Sequence, residues 1–352
     1  MKLFKCPSCG QLLYFENVRC ESCGHRLGYV PDGDVLTSLD ESGDGTWTSL
    51  AEEGGTFRFC ANADHDACNW LLPADSPDRL CTACRHNRTI PDIENPSALA
   101  SWRKIEVAKH RLFYTLLKLN LPHPAAGEAP EPLVFDFLAD APTRDGPKVM
   151  TGHDEGLITI ALAEANDAER EKRRAAMGEP YRTLLGHFRH EVGHFYWDLL
   201  VRDGGWLEEC RSVFGDDRLD YAEALKRHYR EGNPPNWHDE HISGYATTHA
   251  WEDFAETWAH YLHIVDSLEM ARAFGMTVSP RVDKTGALAA DADIEIYGDG
   301  DFAPLVNTWI PLAFGLNSIN RCMGQADLYP FILSPKVVEK LNFIHRLVHA
   351  AR

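Results

Sequence analysis

The chain has 352 residues, 44% of them hydrophobic and 25% charged, with a formal net charge of −18. That is enough apolar mass for a sizeable core, and the acidic balance favours solubility and works against binding to anionic membrane surfaces. No stretch approaches the roughly 18 apolar residues of a spanning helix, and the opening MKLFKCPSCG meets a cysteine pair rather than an apolar signal core, so a cytoplasmic location is expected.

The first elements are cysteine knuckles. Cys6-Pro-Ser-Cys9 and Cys20-Glu-Ser-Cys23 are two CxxC pairs, and four thiolates at that spacing close tetrahedrally on one structural zinc. Gly10 and Gly24 supply the backbone freedom that such knuckles need. Redox CxxC motifs are the alternative, but they seldom come in matched pairs. Cys60, Cys68, Cys81 and Cys84 form a less regular second set for a second structural zinc, with His65 as a substitute ligand. The Gly- and acid-rich stretch 32–55 between the sets reads as a loop or insertion. Ribbons of this kind often bind nucleic acid, but residues 1–95 hold 8 Lys and Arg against 15 Asp and Glu, a net −7. Each zinc tetrathiolate makes that balance more negative, so the region repels a polyanion and no nucleic-acid partner is expected. The remaining Cys210 and Cys322 are expected to be buried thiols in a reducing compartment.

Residues 1–90 are therefore read as a zinc-ribbon region and residues 95–352 as a second domain. Asn95 and Pro96 cap and open a helix to about Asn120, and Leu133 to Leu138 alternates as a strand. Gly156 to Leu162 is a β-branched run that reads as a strand, either an ordinary core strand or, as in zincins, an edge strand to which an extended peptide would add through main-chain hydrogen bonds. The charged stretch 165–178 reads as a solvated helix.

A buried helix follows over Tyr181 to Val201, and in its middle lies His190-Glu191-Val192-Gly193-His194. Histidines at i and i+4 stack on one helix face and grip one zinc, while the glutamate between them is placed to act as general base. The bland alternative is two helical histidines bonded to core carboxylates. Asp198, one turn past His194, is placed to accept its second ring N–H or else is solvated. A catalytic zinc needs a third protein ligand from elsewhere. The stretch Ile242 to His263 offers a helix capped by Thr247 or Thr248, with Glu252, Ala255, Glu256, Ala259 and His263 on one face. Ser334 and Pro335 open a last helix through His349.

HExxH followed by Tyr245, Glu252 and Glu256 as Y-x6-E-x3-E resembles the gluzincin metallopeptidases, especially the catalytic domain of anthrax lethal factor. The resemblance implies an α+β, zincin-like, mainly helical peptidase domain. It implies His190, His194 and Glu252 as ligands of one catalytic zinc, Glu191 as general base, Tyr245 as a phenol aimed at the oxyanion, and Glu256 as a carboxylate behind a ligand. The knuckles together with RTLLGHFRHEVGHFYWD, WEDFAETWAHYL and DLYPF are similar to a bacterial family of zinc-binding metallopeptidases with an N-terminal zinc ribbon. Metzincins are a poor match, because their motif needs glycine and histidine where this chain has Trp197 and Leu200. The expected activity is hydrolysis of a peptide or protein, with one catalytic and two structural zinc ions. The competing reading is a non-enzymatic zinc-ribbon adaptor whose peptidase-like domain only binds a partner. Arg189 and Arg321 are expected in structural ion pairs rather than on a substrate carboxylate.

Overall fold

A computed structural model describes residues 2–52, 54–140, 148–177 and 181–351. The architecture is α+β, and the chain divides by contacts into two compact units. The first comprises Met1–Leu117, His123–Gly152 and Leu157–Asp167; the second comprises Lys118–Pro122, His153–Gly156 and Ala168–Arg352.

The first unit begins with a small hairpin, Phe4–Lys5 against Leu12–Leu13. A five-stranded antiparallel meander follows, made of Arg26–Val30, Val35–Gly43, Thr46–Ser49, Thr56–Phe59 and Leu71–Pro73. The stretch 32–55, expected as a loop, is thus largely two paired strands. Their connecting turn takes Gly43, Asp44 and Gly45 at positive φ, while Leu36, Thr37, Ser38 and Leu39 are buried. Average composition hid a short strand beside its own hairpin turn.

Helix α1, Pro96–Lys118, starts where expected, with Asn95 Oδ1 accepting from the amides of Ser97 and Ala98. It buries Trp102, Ile105, Leu112 and Phe113, and also Glu106, Lys109 and His110. A second sheet joins Asn87–Thr89, Val134–Leu138 and Leu157–Ala161 in parallel, with Gly152–Asp154 next to the last of these. Leu157–Ala161 is therefore an interior strand, the core-strand reading of the two and not the edge, and Ile158, Ile160 and Ala161 are buried accordingly.

Helix α2, Asp167–Met177, is largely exposed, as its charges require. The second unit is built on α3, Leu184–Tyr196, and α6, Ala250–Ala273, with α4 (Leu207–Phe214), α5 (Tyr221–Glu231), α7 (Ala303–Cys322) and α8 (Pro335–Ala350) alongside. Thr183 caps α3 by accepting from Gly186 N at 2.9 Å. At Trp197 the helix widens into a π-helical turn to Arg202, inside the stretch that the sequence reads as one regular helix. Helix α6 is capped by His249 rather than by Thr247 or Thr248, and it runs a further ten residues past His263. Thr247 is instead consumed in the tight turn Tyr245–Thr247, its hydroxyl donating to Gly244 O at 2.7 Å.

Helices α3 and α6 touch closely at Gly193, where a Cβ would lie 3.0 Å from Ala255 Cα and 3.2 Å from Trp258 Cβ. Around that contact Tyr196 stacks on Trp258 at 4.7 Å between centroids, and Phe188, Val192, Phe195, Phe254 and Tyr261 are fully buried. Cys210 lies buried in α4, and burial pushes its thiol up to about 12. Cys322 was expected to be buried as well, but it is exposed at the last residue of α7. Among the described residues no helix is long and apolar enough to cross a membrane.

Candidate metal centres

In the second unit α3 presents His190 and His194 one turn apart, and the first turn of α6 brings Glu252 against them. Glu252 Oε2 lies 3.1 Å from His190 Nε2 and 3.5 Å from His194 Nε2. For bonds of about 2.0–2.2 Å to a tetrahedral zinc, ligand atoms sit about 3.3–3.5 Å apart, so these three atoms have the spacing of three corners around one ion. Glu252 is 1% exposed, yet its Oε2 has no hydrogen-bond partner. A buried carboxylate oxygen without a donor is costly, and a cation at that point removes the cost. The donor set therefore fits zinc.

The surrounding groups orient these atoms. His190 Nδ1 is 2.7 Å from Glu256 Oε1, which directs Nε2 toward Glu252. His194 is held differently: Trp251 lies over its ring at 3.7 Å between centroids, and its Nδ1 has no hydrogen-bond partner. Asp198 does not accept from it and pairs with Arg202 at 3.0 Å. Glu191 is buried beside the two histidines in sequence.

Tyr245 places its ring 6.0 Å from that of His190. Its neighbour Tyr221, on α5, donates to Glu252 Oε1 at 2.7 Å and was not singled out in the sequence. Burial, followed by the Glu252 charge, raises the pKa of both phenols above the ordinary range, so both keep their protons. Arg189 is buried in an ion pair with Asp266, and Arg321 pairs with Asp327 at 2.5 Å.

The first unit holds the two cysteine sets. Cys6 and Cys23 sulfurs are 3.6 Å apart, as are those of Cys9 and Cys20, close to the roughly 3.8 Å expected across a tetrahedron with Zn–S bonds of about 2.3 Å. Both knuckles close alike, with Gly10 N on Cys6 O and Gly24 N on Cys20 O, each at 2.8 Å. Cys9 is exposed.

Cys60, Cys68, Cys81 and Cys84 are all buried and converge in the same way, with Cys68 and Cys81 sulfurs 3.7 Å apart. Amides of Trp70 and Cys81 point at Cys68 and Cys60 sulfurs. His65 is not in this cluster; its ring packs 6.2 Å from Trp102. The histidine that does reach it is His110 of α1, whose Nε2 lies 3.3 Å from Cys68 Sγ and 3.6 Å from Cys84 Sγ. Its Nδ1 is 2.6 Å from Glu106 O and must donate there. The fully buried Lys109–Glu106 pair, at 2.9 Å, adjoins it. No spacing rule links His110 to cysteines 26 and more residues away.

Residues 98–347 match the model of a family described as "Putative zinc-binding metallo-peptidase", and residues 3–95 match a zinc-ribbon domain. Proteins of Mycobacterium bovis and Mycobacterium tuberculosis, each named only as uncharacterized, are 41% identical over 350 residues, covering 99% of this chain and 95% of theirs. No solved structure matches the chain significantly.

Proposed function

Because the chain belongs to the family of zinc-binding metallo-peptidases, we propose that it is a zinc-dependent peptidase of gluzincin type, acting on a peptide or protein through the site formed by α3 and α6. The observation that carries this reading is the buried Glu252 Oε2, without a donor and facing both HExxH histidines.

His190, His194 and Glu252 would hold the ion, and zinc bound there supplies Lewis-acid chemistry, acidifying water and polarising a carbonyl. Glu191 takes the proton of the attacking water and delivers it to the leaving amine nitrogen. Tyr245, protonated in its buried position, donates to the oxyanion that develops on the carbonyl oxygen. Glu256 fixes the His190 ring. The thiolate sets in the first unit would hold two further zinc ions with structural roles.

The test is cleavage of a diverse peptide library by zinc-loaded protein, read by mass spectrometry beside Glu191→Gln at equal zinc content. Cuts made by the wild type alone are expected and would reveal the side-chain preference. Equal cleavage by both would remove Glu191 from the mechanism, and silence in both would favour a domain that binds a partner without cutting it.

A further inference from the structure

The loop that precedes α5 is tied to the start of α6 by one histidine. His249 Nδ1 accepts from Trp251 N at 3.1 Å, which caps α6. Its Nε2 therefore carries the ring proton and donates to Leu219 O at 3.0 Å. Two residues on, Tyr221 begins α5 just after its cap, Asp220, which accepts from Glu223 N at 2.9 Å. The Tyr221 ring stands edge-on to His249 at 5.6 Å and to Trp251 at 5.8 Å. The segment carrying Tyr221 and the turn carrying Glu252 thus form one rigid frame, and within it the Tyr221 hydroxyl donates to Glu252 Oε1 at 2.7 Å.

A phenol has a single proton. Spent on the carboxylate, it leaves the Tyr221 oxygen able only to accept. A carboxylate binds a metal through one oxygen or through both. Through both, Glu252 would crowd the position that a hydrolytic zinc site must keep free.

We propose that Tyr221 is the positioning residue of the metal site: by engaging Glu252 Oε1 it makes Glu252 offer Oε2 alone to the ion held with His190 and His194. It acts through Glu252 and not on the reacting atoms. The proposal rests on the metal site of the preceding section, but not on what that site cleaves.

The test uses full-length protein with zinc and with cobalt as probes; the site is identified as the metal equivalent that His190→Ala lacks. Tyr221→Phe is expected to bind zinc there about 10–100-fold more weakly, and to change the visible ligand-field spectrum of cobalt at that site. Tyr245→Phe is expected to leave both readouts as in the wild type. Unchanged affinity and an unchanged cobalt spectrum in Tyr221→Phe would overturn the proposal. If Tyr221→Phe also lowers the melting temperature of the metal-free protein, the double variant with Glu252→Gln decides: a positioning role predicts no further loss of affinity beyond Glu252→Gln, whereas additive losses would refute it. A protein that fails to cleave any peptide yet shows these metal effects would sink the peptidase reading and leave this one intact.

Discussion

At the scale of single residues, the polar groups of the second unit divide into those that do chemistry and those that hold its ground. Tyr245 belongs to the first kind in the proposed mechanism. Tyr245→Phe is expected to lower kcat about 10²–10³-fold, the loss typical of one oxyanion donor, while zinc content stays unchanged; steady-state kinetics beside metal analysis would show it. Lys340 belongs to the second kind. It reaches from α8 to Asp253 Oδ2 at 2.6 Å and Glu240 O at 2.7 Å, with both charged side chains buried. Asp253 follows Glu252 in the first turn of α6, so the pair fixes the end of the helix that carries the third ligand. Lys340→Met would leave that buried carboxylate without its lysine, with His241 Nε2 at 3.7 Å beside it, at a cost of up to about 3–5 kcal/mol. Adding Asp253→Leu should recover most of it, because an apolar pair of similar shape replaces a broken ionic one. Denaturant midpoints of the two variants measure the difference.

At the scale of elements, the helices carrying the site meet at a glycine inside the motif itself. Adding a methyl at Gly193 forces it against backbone atoms of α6, with Ala255 Cα at 3.0 Å and Ala255 O at 3.3 Å. Backbone yields less readily than side-chain ends, so Gly193→Ala is expected to destabilise by about 1–3 kcal/mol through overpacking, despite the helix propensity that alanine gains. An increase in thermal stability would show that the helices stand further apart. This contact also marks how far the sequence was legible. Period, caps and spacing showed α3, α6 and α8, the Asn95 and Ser334 caps, and the shared face of His190 and His194, because each is a local pattern. Tyr221 and His110 were not legible, because they reach Glu252 and the cysteines only through folding, 31 and 26 residues away from their contacts in sequence. The π turn and the cap at His249 were missed for a related reason. A histidine caps by an acceptor nitrogen that only its tautomer supplies, and a helix widens without a residue type that announces it.

At the scale of the whole molecule, the ten cysteines separate burial from ligation. Burial alone ranks Cys9 and Cys322 as the exposed thiols and therefore as the two that a soluble alkylating reagent should reach first. Ligation ranks them differently, because Cys9 lies with Cys6, Cys20 and Cys23 in a set with tetrahedral spacing, whereas Cys322 belongs to no candidate metal set. Zinc-loaded protein is therefore expected to be alkylated rapidly at Cys322 only. Cys210 should stay inert until unfolding, since burial holds its thiol near pKa 12. A strong chelator should then expose the eight cysteines of the two candidate sets together with loss of structure in the first unit, because binding free energies of about 10–16 kcal/mol per structural zinc are also folding free energies. The second unit, whose core is the apolar packing around α3 and α6, should keep its own thermal transition. Mass-spectrometric mapping of alkylated peptides before and after chelation tests the whole scheme. Rapid labelling of Cys9 in the zinc-loaded protein would mean that the knuckles hold their shape without metal, and that the first unit is stabilised by its sheets alone.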